Sequence, residues 1–157
     1  MAKLKGPERV RGALEALALD CEVLTLPGST RTAEEAAAAV GCSVGEIAKS
    51  LVFRGGERAV VAIMSGDNRL DTGKLAEALG HKVSRADADF VRAATGFAIG
   101  GVPPLGHATP APVFMDADLF RFDRIWAAAG SPFSVFAIEP ARLRDAGGAA
   151  VTDLKVD

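Results

Sequence analysis

A lysine between two apolar segments is the first residue of this sequence whose type and position could serve chemistry. Lys49 follows Ile47-Ala48 and precedes the apolar run Ser50-Leu51-Val52-Phe53, so the sequence predicts that it lies where a short helix ends and a strand begins. Two interpretations stay open. Either the ammonium extends to solvent over its apolar stem, or it points into a cleft where it could bind a polar or anionic group.

A segment rich in glycine and proline supplies the second group of candidates. Its sequence from residue 99 to residue 107 is IGGVPPLGH. Paired glycines allow positive φ and close approach of a ligand, while the two prolines stiffen the loop and remove two amide donors. The remaining amides could converge on a carbonyl oxygen as an oxyanion hole, and they belong to Gly100, Gly101, Val102, Leu105 and Gly106. A tight turn between strands is the alternative.

The histidine that ends this segment, His107, could act as a general acid or base because the pKa of imidazole lies near neutrality. A surface or supporting role is the alternative. The sequence contains no G-x-S-x-G, HExxH, Walker A or GxGxxG motif. Cys21 and Cys42 lie outside any CxxC motif, and we expect both to be small buried apolar residues. No metal site and no cofactor is therefore expected.

Length, composition and charge narrow the class of protein. The 157 residues fit a single domain spanning residues 1–157, with 49% hydrophobic and 24% charged residues. A net charge of −2 argues against a protein that coats duplex DNA, but it does not exclude one that grips a single-stranded RNA end. No apolar run approaches the ~20 residues of a membrane span, and the first twelve residues lack a signal-peptide core. We expect a cytoplasmic protein that does not contact a membrane.

Short helices and short strands follow one another without regular alternation. Helices are predicted after Pro7, from Thr32 to Gly41, from Ser43 to about Lys49, from Asp71 to Gly80, from Asp87 to Gly96 and from Pro140 onward. Strands are predicted at residues 21–26, 50–54, 58–64, 97–101, 113–116, 125–128 and 135–138. Gly55-Gly56 makes a hairpin of the second and third strands. This order favours an α+β fold over a doubly wound sheet.

Three segments carry a family resemblance: residues 29–37 (STRTAEEAA), 47–53 (IAKSLVF) and 100–107 (GGVPPLGH). Together they resemble the YbaK/EbsC family, the stand-alone relatives of the editing domain inserted in bacterial prolyl-tRNA synthetase. Weaker matches are Ser65-Gly66-Asp67, Lys74-Leu75-Ala76, Val113-Phe114-Met115-Asp116 and Ala128-Ala129-Gly130. The order and spacing of these segments hold from about residue 9 to residue 153.

The resemblance implies a single α+β domain with a mixed, mostly antiparallel sheet or partly open barrel flanked by short helices. It also implies a pocket for the 3′-terminal adenosine of a tRNA and its attached amino acid. Lys49 is expected to hold the terminal phosphate or ribose, and Gly100 and Gly101 to lie against the aminoacyl carbonyl, so these three are the expected catalytic residues. The expected substrate-binding residues are Thr32, Ser50, Ser65, Gly66, Pro103, Pro104, Gly106 and His107.

The implied activity is trans-editing, the hydrolysis of the ester bond of a mischarged aminoacyl-tRNA. Because an aminoacyl ester is already activated, a positioned water and backbone amide donors can suffice. The stretch from Ala127 to Phe133 lacks the polar residues of the Cys-tRNA-specific branch, so we expect a small amino acid such as alanine rather than cysteine. The implied partner is the aminoacyl-tRNA 3′ end, and a synthetase partner is left open. The alternatives are a non-catalytic module that binds a tRNA end or a synthetase, and a hydrolase of small aminoacyl esters.

Overall fold

A computed structural model describes residues 6–157 of the chain. The strands are β1 (Val23–Thr25), β2 (Ile47–Gly55), β3 (Arg58–Ser65), β4 (Ser84–Arg85), β5 (Val113–Asp116), β6 (Ile125–Ala128), β7 (Ser134–Ile138) and β8 (Ala150–Thr152). The helices are α1 (Gly6–Ala16), α2 (Ala33–Val40), α3 (Thr72–Leu79), α4 (Ala88–Thr95) and α5 (Pro140–Gly147). Two 3₁₀ turns cover Val44–Glu46 and Ala117–Arg121. No helix within residues 6–157 is long and apolar enough to cross a membrane.

The eight strands form one mixed sheet that is not closed into a barrel. Its order is β1-β7-β6-β2-β3-β5-β8, and β4 pairs with β2 away from this path. Four of the seven pairings are antiparallel, and the pairings β2–β6, β3–β5 and β5–β8 are parallel. The predicted α+β fold with a mixed, mostly antiparallel sheet is confirmed.

Strand β2 divides the apolar core, because alternate residues of a strand face opposite sides of the sheet. Ala48 and Val52 pack in the largest cluster of buried side chains, to which α1, α4 and α5 contribute. Leu51 and Phe53 pack in a second cluster with α3, and Ile47 packs in a third with α2. The side chains of β2 therefore reach two differently covered faces.

The pairing of β2 is interrupted on one side. Strand β6 pairs with Ile47 and Ala48, whereas β4 pairs with Phe53 and Arg54, so residues 49–52 have a neighbouring strand only on the β3 side. The Ile47 carbonyl accepts the N–H of the residue after β3 at 2.8 Å, which fixes the direction of the backbone groups. The N–H and C=O of successive residues point alternately to the two sides of a strand, and those of Ile47 point towards β3. The N–H and C=O of Ser50, and the N–H of Val52, therefore point into the gap on the other side.

Most helix ends lie where the sequence predicts them. Thr32 opens α2 with a capping box, in which its hydroxyl accepts the Glu35 N–H and its own N–H donates to the Glu35 carboxylate. Asp71 and Asp87 cap the first turns of α3 and α4. The glycines that follow α2, α3 and α4 all adopt the left-handed conformation.

The helix predicted from Ser43 to Lys49 is wrong. Only a 3₁₀ turn forms, and β2 begins directly after it at Ile47. Ladder pairing of Ile47 and Ala48 with β6, and of Ala48 with β3, outweighs the local helical preference of this short segment. Lys49 is therefore the third residue of a strand and not the last residue of a helix. The two- and three-residue strands β4 and β8 are also missing from the sequence prediction.

The strand predicted at residues 97–101 is wrong too, because this segment is a turn. The Gly101 N–H donates to the Ala98 carbonyl at 3.0 Å, and Gly100 has a φ of 93° that no regular strand can accommodate. The Gly101 carbonyl accepts the Gly130 N–H at 2.9 Å, which joins this turn to the one that follows β6. The loop that leads away from the turn is thereby fixed against the end of the sheet.

The same loop is held at its far end by a histidine. His107 is half-buried, and its Nε2 lies 2.7 Å from the Pro103 carbonyl oxygen. Because a carbonyl can only accept, this contact assigns the proton to Nε2. Burial lowers the pKa of His107, and the hydrogen bond to Pro103 raises it by less.

The stability of the protein should decline as the pH falls from 7.5 to 5.5. The folded state holds the His107 pKa below its ordinary value of about 6.5, so the unfolded chain takes up the proton first and is favoured as the solution acidifies. His107→Gln retains an N–H donor but does not titrate, so it should flatten this decline. Urea unfolding at a series of pH values measures the effect, with His81→Gln, at an exposed histidine, as the control. Equal slopes for wild type and His107→Gln would contradict the prediction.

Candidate active site

A cavity of about 300 Å³ opens at the gap in the sheet beside β2. Its walls come from the segment that leads into α2, the first half of β2, the turn at residues 99–102 and strand β6. Ile47 and Trp126 of the lining belong to the face covered by α2, whereas Val102 and Ala127 belong to the face of the largest core cluster. The cavity thus reaches both faces of the sheet.

Lys49 lies in the middle of this arrangement. It pairs with Met64 across the β2–β3 ladder, and its parity along β2 places it on the same face as Ile47 and Leu51. The side chain lines the cavity, is half-buried, and forms no hydrogen bond or ion pair with any residue from 6 to 157. The exposed guanidinium of Arg31, which also lines the cavity, is equally without an anionic partner in that range. Both cations are therefore available to a ligand.

Two backbone amides of the glycine loop are also available. Gly100 and Val102 line the cavity, and their N–H groups donate to no acceptor within the described residues. The Gly101 amide differs, since the Ala98 carbonyl already accepts its hydrogen bond. A Cβ on Gly100 would lie 2.9 Å from the Arg31 side chain, at a φ that disfavours any side chain. The turn can therefore present two amide donors. Gly101 lies between them and is itself fixed by hydrogen bonds with Ala98 and Gly130.

Two buried hydroxyl groups of residues that line the cavity lack hydrogen-bond partners within residues 6–157. They are Oγ1 of Thr30 and Oγ of Ser50, and Thr30 is only 6% exposed. The Thr30 N–H donates to the Pro132 carbonyl at 2.6 Å, which fixes the threonine beside β7. Ser50 was predicted from the sequence, but Thr30 was missed because it precedes the helix cap and belongs to no periodic pattern. A buried hydroxyl without a partner costs about 1–3 kcal/mol, which a bound polar ligand can recover.

An aromatic side chain completes the wall and was also missed. Trp126 of β6 is half-buried, lines the cavity and pairs with Ile47 in the parallel ladder. The Arg124 guanidinium lies 5.2 Å from the centre of its ring. A tryptophan in a four-residue apolar strand is an ordinary core residue by sequence, and only the strand order brings it near Lys49.

The remaining residues predicted on the α2 side lie at or below the cavity. Thr32 lines it, but its hydroxyl is engaged in the capping box. Ser65 is fully buried outside the lining, where its N–H donates to the Asp116 carboxylate at 3.1 Å. Gly66 packs against the 3₁₀ turn before β2, and a Cβ there would lie 2.9 Å from the Ala33 side chain. Ser65 and Gly66 bind the start of β2, since the Ser65 hydroxyl donates to the Gly45 carbonyl and the Gly66 N–H donates to the Ile47 carbonyl.

The later residues of the glycine loop turn away from Lys49. Pro103 and Pro104 are buried and do not line the cavity. Pro104, Gly106 and His107 instead line a separate cavity of about 380 Å³ beside α1. The structure therefore brings Lys49, Ser50, Thr32 and Gly100 together in the lining of one cavity. Gly101 is next to Gly100 in the chain but does not line the cavity, and the second half of the loop lies beside α1.

The ionisable groups of the cavity are mostly basic. Glu34 is the one acidic side chain of the described residues that lines it, against Arg31 and Lys49. Within residues 6–157, no three side chains of the types His, Cys, Asp and Glu come together as a set that could hold a metal ion. Both cysteines are partly buried against core clusters, and burial raises the pKa of each thiol, which disfavours the nucleophilic thiolate. The absence of a cofactor remains a prediction.

The fold is similar to that of proteins whose structures have been solved. The chain superposes on the crystal structure of a candidate trans-editing enzyme for prolyl-tRNA synthetase with a TM-score of 0.93 and 47% identity, covering 99% of this chain and 100% of that one. The YbaK-type fold implied by the sequence is confirmed.

Sequence relatives agree with the structural match. A candidate Cys-tRNA(Pro)/Cys-tRNA(Cys) deacylase, EbsC of Enterococcus faecalis, is 34% identical over 101 residues, which is 63% of this chain and 62% of that protein. The proline–tRNA ligase of Nitratidesulfovibrio vulgaris is 33% identical over 156 residues, 99% of this chain. The chain spans only 26% of that ligase, so it is similar to one part of a much longer enzyme.

A family model described as the aminoacyl-tRNA editing domain matches residues 28–146, a range that contains α2, the whole of β2, the glycine loop and β6. Every element that lines the cavity therefore falls within the match. The resemblance to the YbaK/EbsC proteins, drawn from three short segments, is confirmed over most of the chain. This protein belongs to the aminoacyl-tRNA editing domain family.

Proposed function

We propose that this chain is a trans-editing deacylase that hydrolyses the ester bond of a mischarged aminoacyl-tRNA carrying a small amino acid. Membership of the editing family supports deacylation of mischarged tRNA. The observation that carries the finer proposal is the cavity at the interruption of β2. There Lys49 lines the same cavity as a turn whose Gly100 and Val102 amides, like the Lys49 ammonium, have no partner within residues 6–157.

Lys49 binds the RNA terminus in this proposal. A compact ammonium on a flexible stem, which no carboxylate of residues 6–157 contacts, suits a phosphate or ribose oxygen. Its position inside a strand that pairs with β3 fixes the Cα, so only the side chain needs to adjust. Arg31 at the rim adds a second positive charge that attracts the phosphate backbone.

The amides of Gly100 and Val102 stabilise the reaction centre. A water oxygen attacks the ester carbonyl carbon, and the carbonyl oxygen becomes an oxyanion that accepts from these two N–H groups. The bond to the ribose oxygen then breaks, and the proton given up by the water goes to that oxygen. The hydrolysis consumes the ester and one water and needs no oxidant, metal ion or cofactor. Loss of one such donor lowers a rate by about 10²–10³.

The two orphan hydroxyls bind the amino acid. A protonated α-amino group has three N–H donors, and the oxygens of Thr30 and Ser50 are acceptors that have no partner in the described part of the chain. Small side chains dominate the neighbouring wall, which includes Ala33, Ala36 and Ala127. An aminoacyl group and a ribose must share about 300 Å³, which favours alanine or serine over a bulky residue.

The proposal includes the cellular setting. The substrate is the 3′ end of an aminoacyl-tRNA, and the similarity to part of a proline–tRNA ligase supports a functional connection with that synthetase. Editing of charged tRNA takes place where translation does, so we place the protein in the cytoplasm. Turnover of mischarged tRNA by the purified chain separates an enzyme from a module that only binds the tRNA end.

Lys49→Ala should abolish most deacylation and leave the fold intact. The side chain makes no polar contact within the described residues, so its loss should change the unfolding free energy by at most ~0.5 kcal/mol. Lys49→Arg should also be impaired, since a planar guanidinium does not replace an ammonium in a confined site. Steady-state deacylation and a thermal melt on each variant check this, with Lys82→Ala, at an exposed lysine outside the cavity, as the matched control. Normal turnover by Lys49→Ala would remove Lys49 from the mechanism.

The amino acid preference is tested by a screen of mischarged tRNAs. Alanyl- and seryl-tRNA should be hydrolysed faster than phenylalanyl-tRNA, because the aminoacyl side chain shares about 300 Å³ with the ribose and a methyl or hydroxymethyl group needs less of that volume than a ring. Each added methylene changes binding by only about 1–3 kcal/mol, so intermediate side chains should be slowed gradually. Initial rates at equal tRNA concentration give the order, and faster hydrolysis of the aromatic ester is the result that would refute a small-residue pocket.

A further inference from the structure

The cavity of about 380 Å³ beside α1 has no part in the deacylation mechanism. Its walls come from α1, α5, the start of β5 and the second half of the glycine loop, and it shares no lining residue with the cavity beside β2. Alanine, glycine, proline, leucine and valine supply most of the lining, and His107 is its one titratable side chain within residues 6–157. A cavity of this volume and polarity suits a small organic molecule.

Three consecutive backbone N–H groups at this cavity lack an acceptor. They belong to Leu105, Gly106 and His107, and none of them donates to any residue from 6 to 157. Gly106 has a φ of 77°, and successive N–H groups beside a left-handed residue can form a concave donor surface that binds an anion. Leu105 is only 4% exposed, so water has little access to its amide. These donors therefore favour a ligand that brings acceptor oxygens.

The loop that carries these donors is already fixed in shape. The His107 Nε2 donates to the Pro103 carbonyl at 2.7 Å, which closes residues 103–107 into a ring. The Ala108 N–H donates to a carbonyl at the end of α4 at 2.8 Å. A Cβ on Gly106 would lie 2.9 Å from the Ala13 Cβ, so the loop packs tightly on α1. A ligand does not need to order these residues, which lowers the cost of binding.

The donors and the lining together define the chemistry of the ligand. A carboxylate only accepts hydrogen bonds, and it does so through two oxygens, so it suits a set of donors. No lysine or arginine of the described residues lines the cavity, so a phosphate dianion would lack a counter-charge there. No aspartate or glutamate of residues 6–157 lines it either, so the α-ammonium of a free amino acid would lack a partner. The apolar remainder of the lining suits an aliphatic or aromatic group.

We infer that the cavity beside α1 binds a small monocarboxylate with an apolar body, whose carboxylate accepts from the amides of Leu105, Gly106 and His107. The apolar body lies between α1 and α5, against side chains such as Ala16 and Leu17. The inference does not rest on the proposed function, because neither tRNA nor deacylation enters the argument.

Titration with 3-phenylpropanoate, which joins a carboxylate to a ring, tests the site on the full chain without RNA. Spectra that correlate ¹H and ¹⁵N report the amides of residues 105–107 directly. These signals should move saturably with a Kd of about 1–10 mM, the range expected for a ligand of this size.

Two matched ligands test the chemistry on the wild-type protein. The neutral analogue 3-phenylpropanamide should bind about 10-fold more weakly, because hydrogen bonds to a charged acceptor are roughly twice as strong as neutral ones. Phenylalanine, which adds an ammonium to the same skeleton, should also bind about 10-fold more weakly, because a buried charge without a partner is costly.

A cavity-filling variant tests the position. Gly147 lines the cavity at the end of α5, and a Cβ there would lie 3.8 Å from the Pro104 carbonyl oxygen and 3.9 Å from the Leu105 Cβ, which are ordinary contact distances. Gly147→Leu should raise Kd about 10-fold or more, since leucine and ligand compete for one volume. The control is Gly12→Leu, at a glycine of α1 outside the cavity with open space around it, and its Kd should stay within about twofold of wild type. Thermal melts check that both variants fold.

Several results would overturn the inference. They are the absence of saturable shifts at residues 105–107, equal Kd values for the carboxylate and its amide, and equal Kd values for Gly147→Leu and Gly12→Leu. Inorganic phosphate that binds as tightly as 3-phenylpropanoate would assign the amides to a free anion and would contradict the role of the apolar lining. The tests with wild-type protein decide the matter even where Gly147→Leu does not fold.

Discussion

The site depends on the way β2 is shared between two short strands. Strand β6 pairs with its first two residues and β4 with residues 53 and 54, so the middle of a central strand is left as an edge. Strand β3 pairs with β2 from Ala48 to Gly55 and so holds this edge in place. A strand held on one side and open on the other can present a lysine and backbone donors to a ligand while the fold supplies their positions.

The opposite wall is held by contacts that only glycine permits. The Gly101 carbonyl bonds to the Gly130 N–H, and a Cβ on Gly101 would lie 2.8 Å from the Ser131 nitrogen. Gly130 in turn packs so closely against Gly6 at the start of α1 that neither position has room for a side chain. Backbone-to-backbone packing of this kind fixes the turn without long side chains that could shift. The Gly100 and Val102 amides are left without an acceptor among residues 6–157.

Local patterns in the sequence predict the local structure well. The cap residues Thr32, Asp71 and Asp87 and the hairpin at Gly55-Gly56 act over three or four residues, so their outcome follows from short stretches of sequence. Strand order is not local. The gap in β2, the partnerless hydroxyl of Thr30 and the approach of Trp126 all follow from which distant strands pair, and no periodicity encodes this. Lys49 was singled out for its type, although its predicted place at a helix end was wrong.

Charge distribution explains how a mildly acidic chain can serve an RNA substrate. The cations Lys74, Arg121 and Lys155 form ion pairs with carboxylates near the start of α3 and the second 3₁₀ turn, and these pairs offset much of their positive charge. Lys49, Arg31 and Arg85 have no such partners within the described residues. The net charge of −2 averages these two populations and so does not reveal the positive charge at the cavity beside β2. In the proposed function, the two cations at this cavity favour the approach of one RNA end, whereas the net negative charge disfavours the wrapping of a long duplex, and this is the selectivity that hydrolysis of a single terminal ester requires.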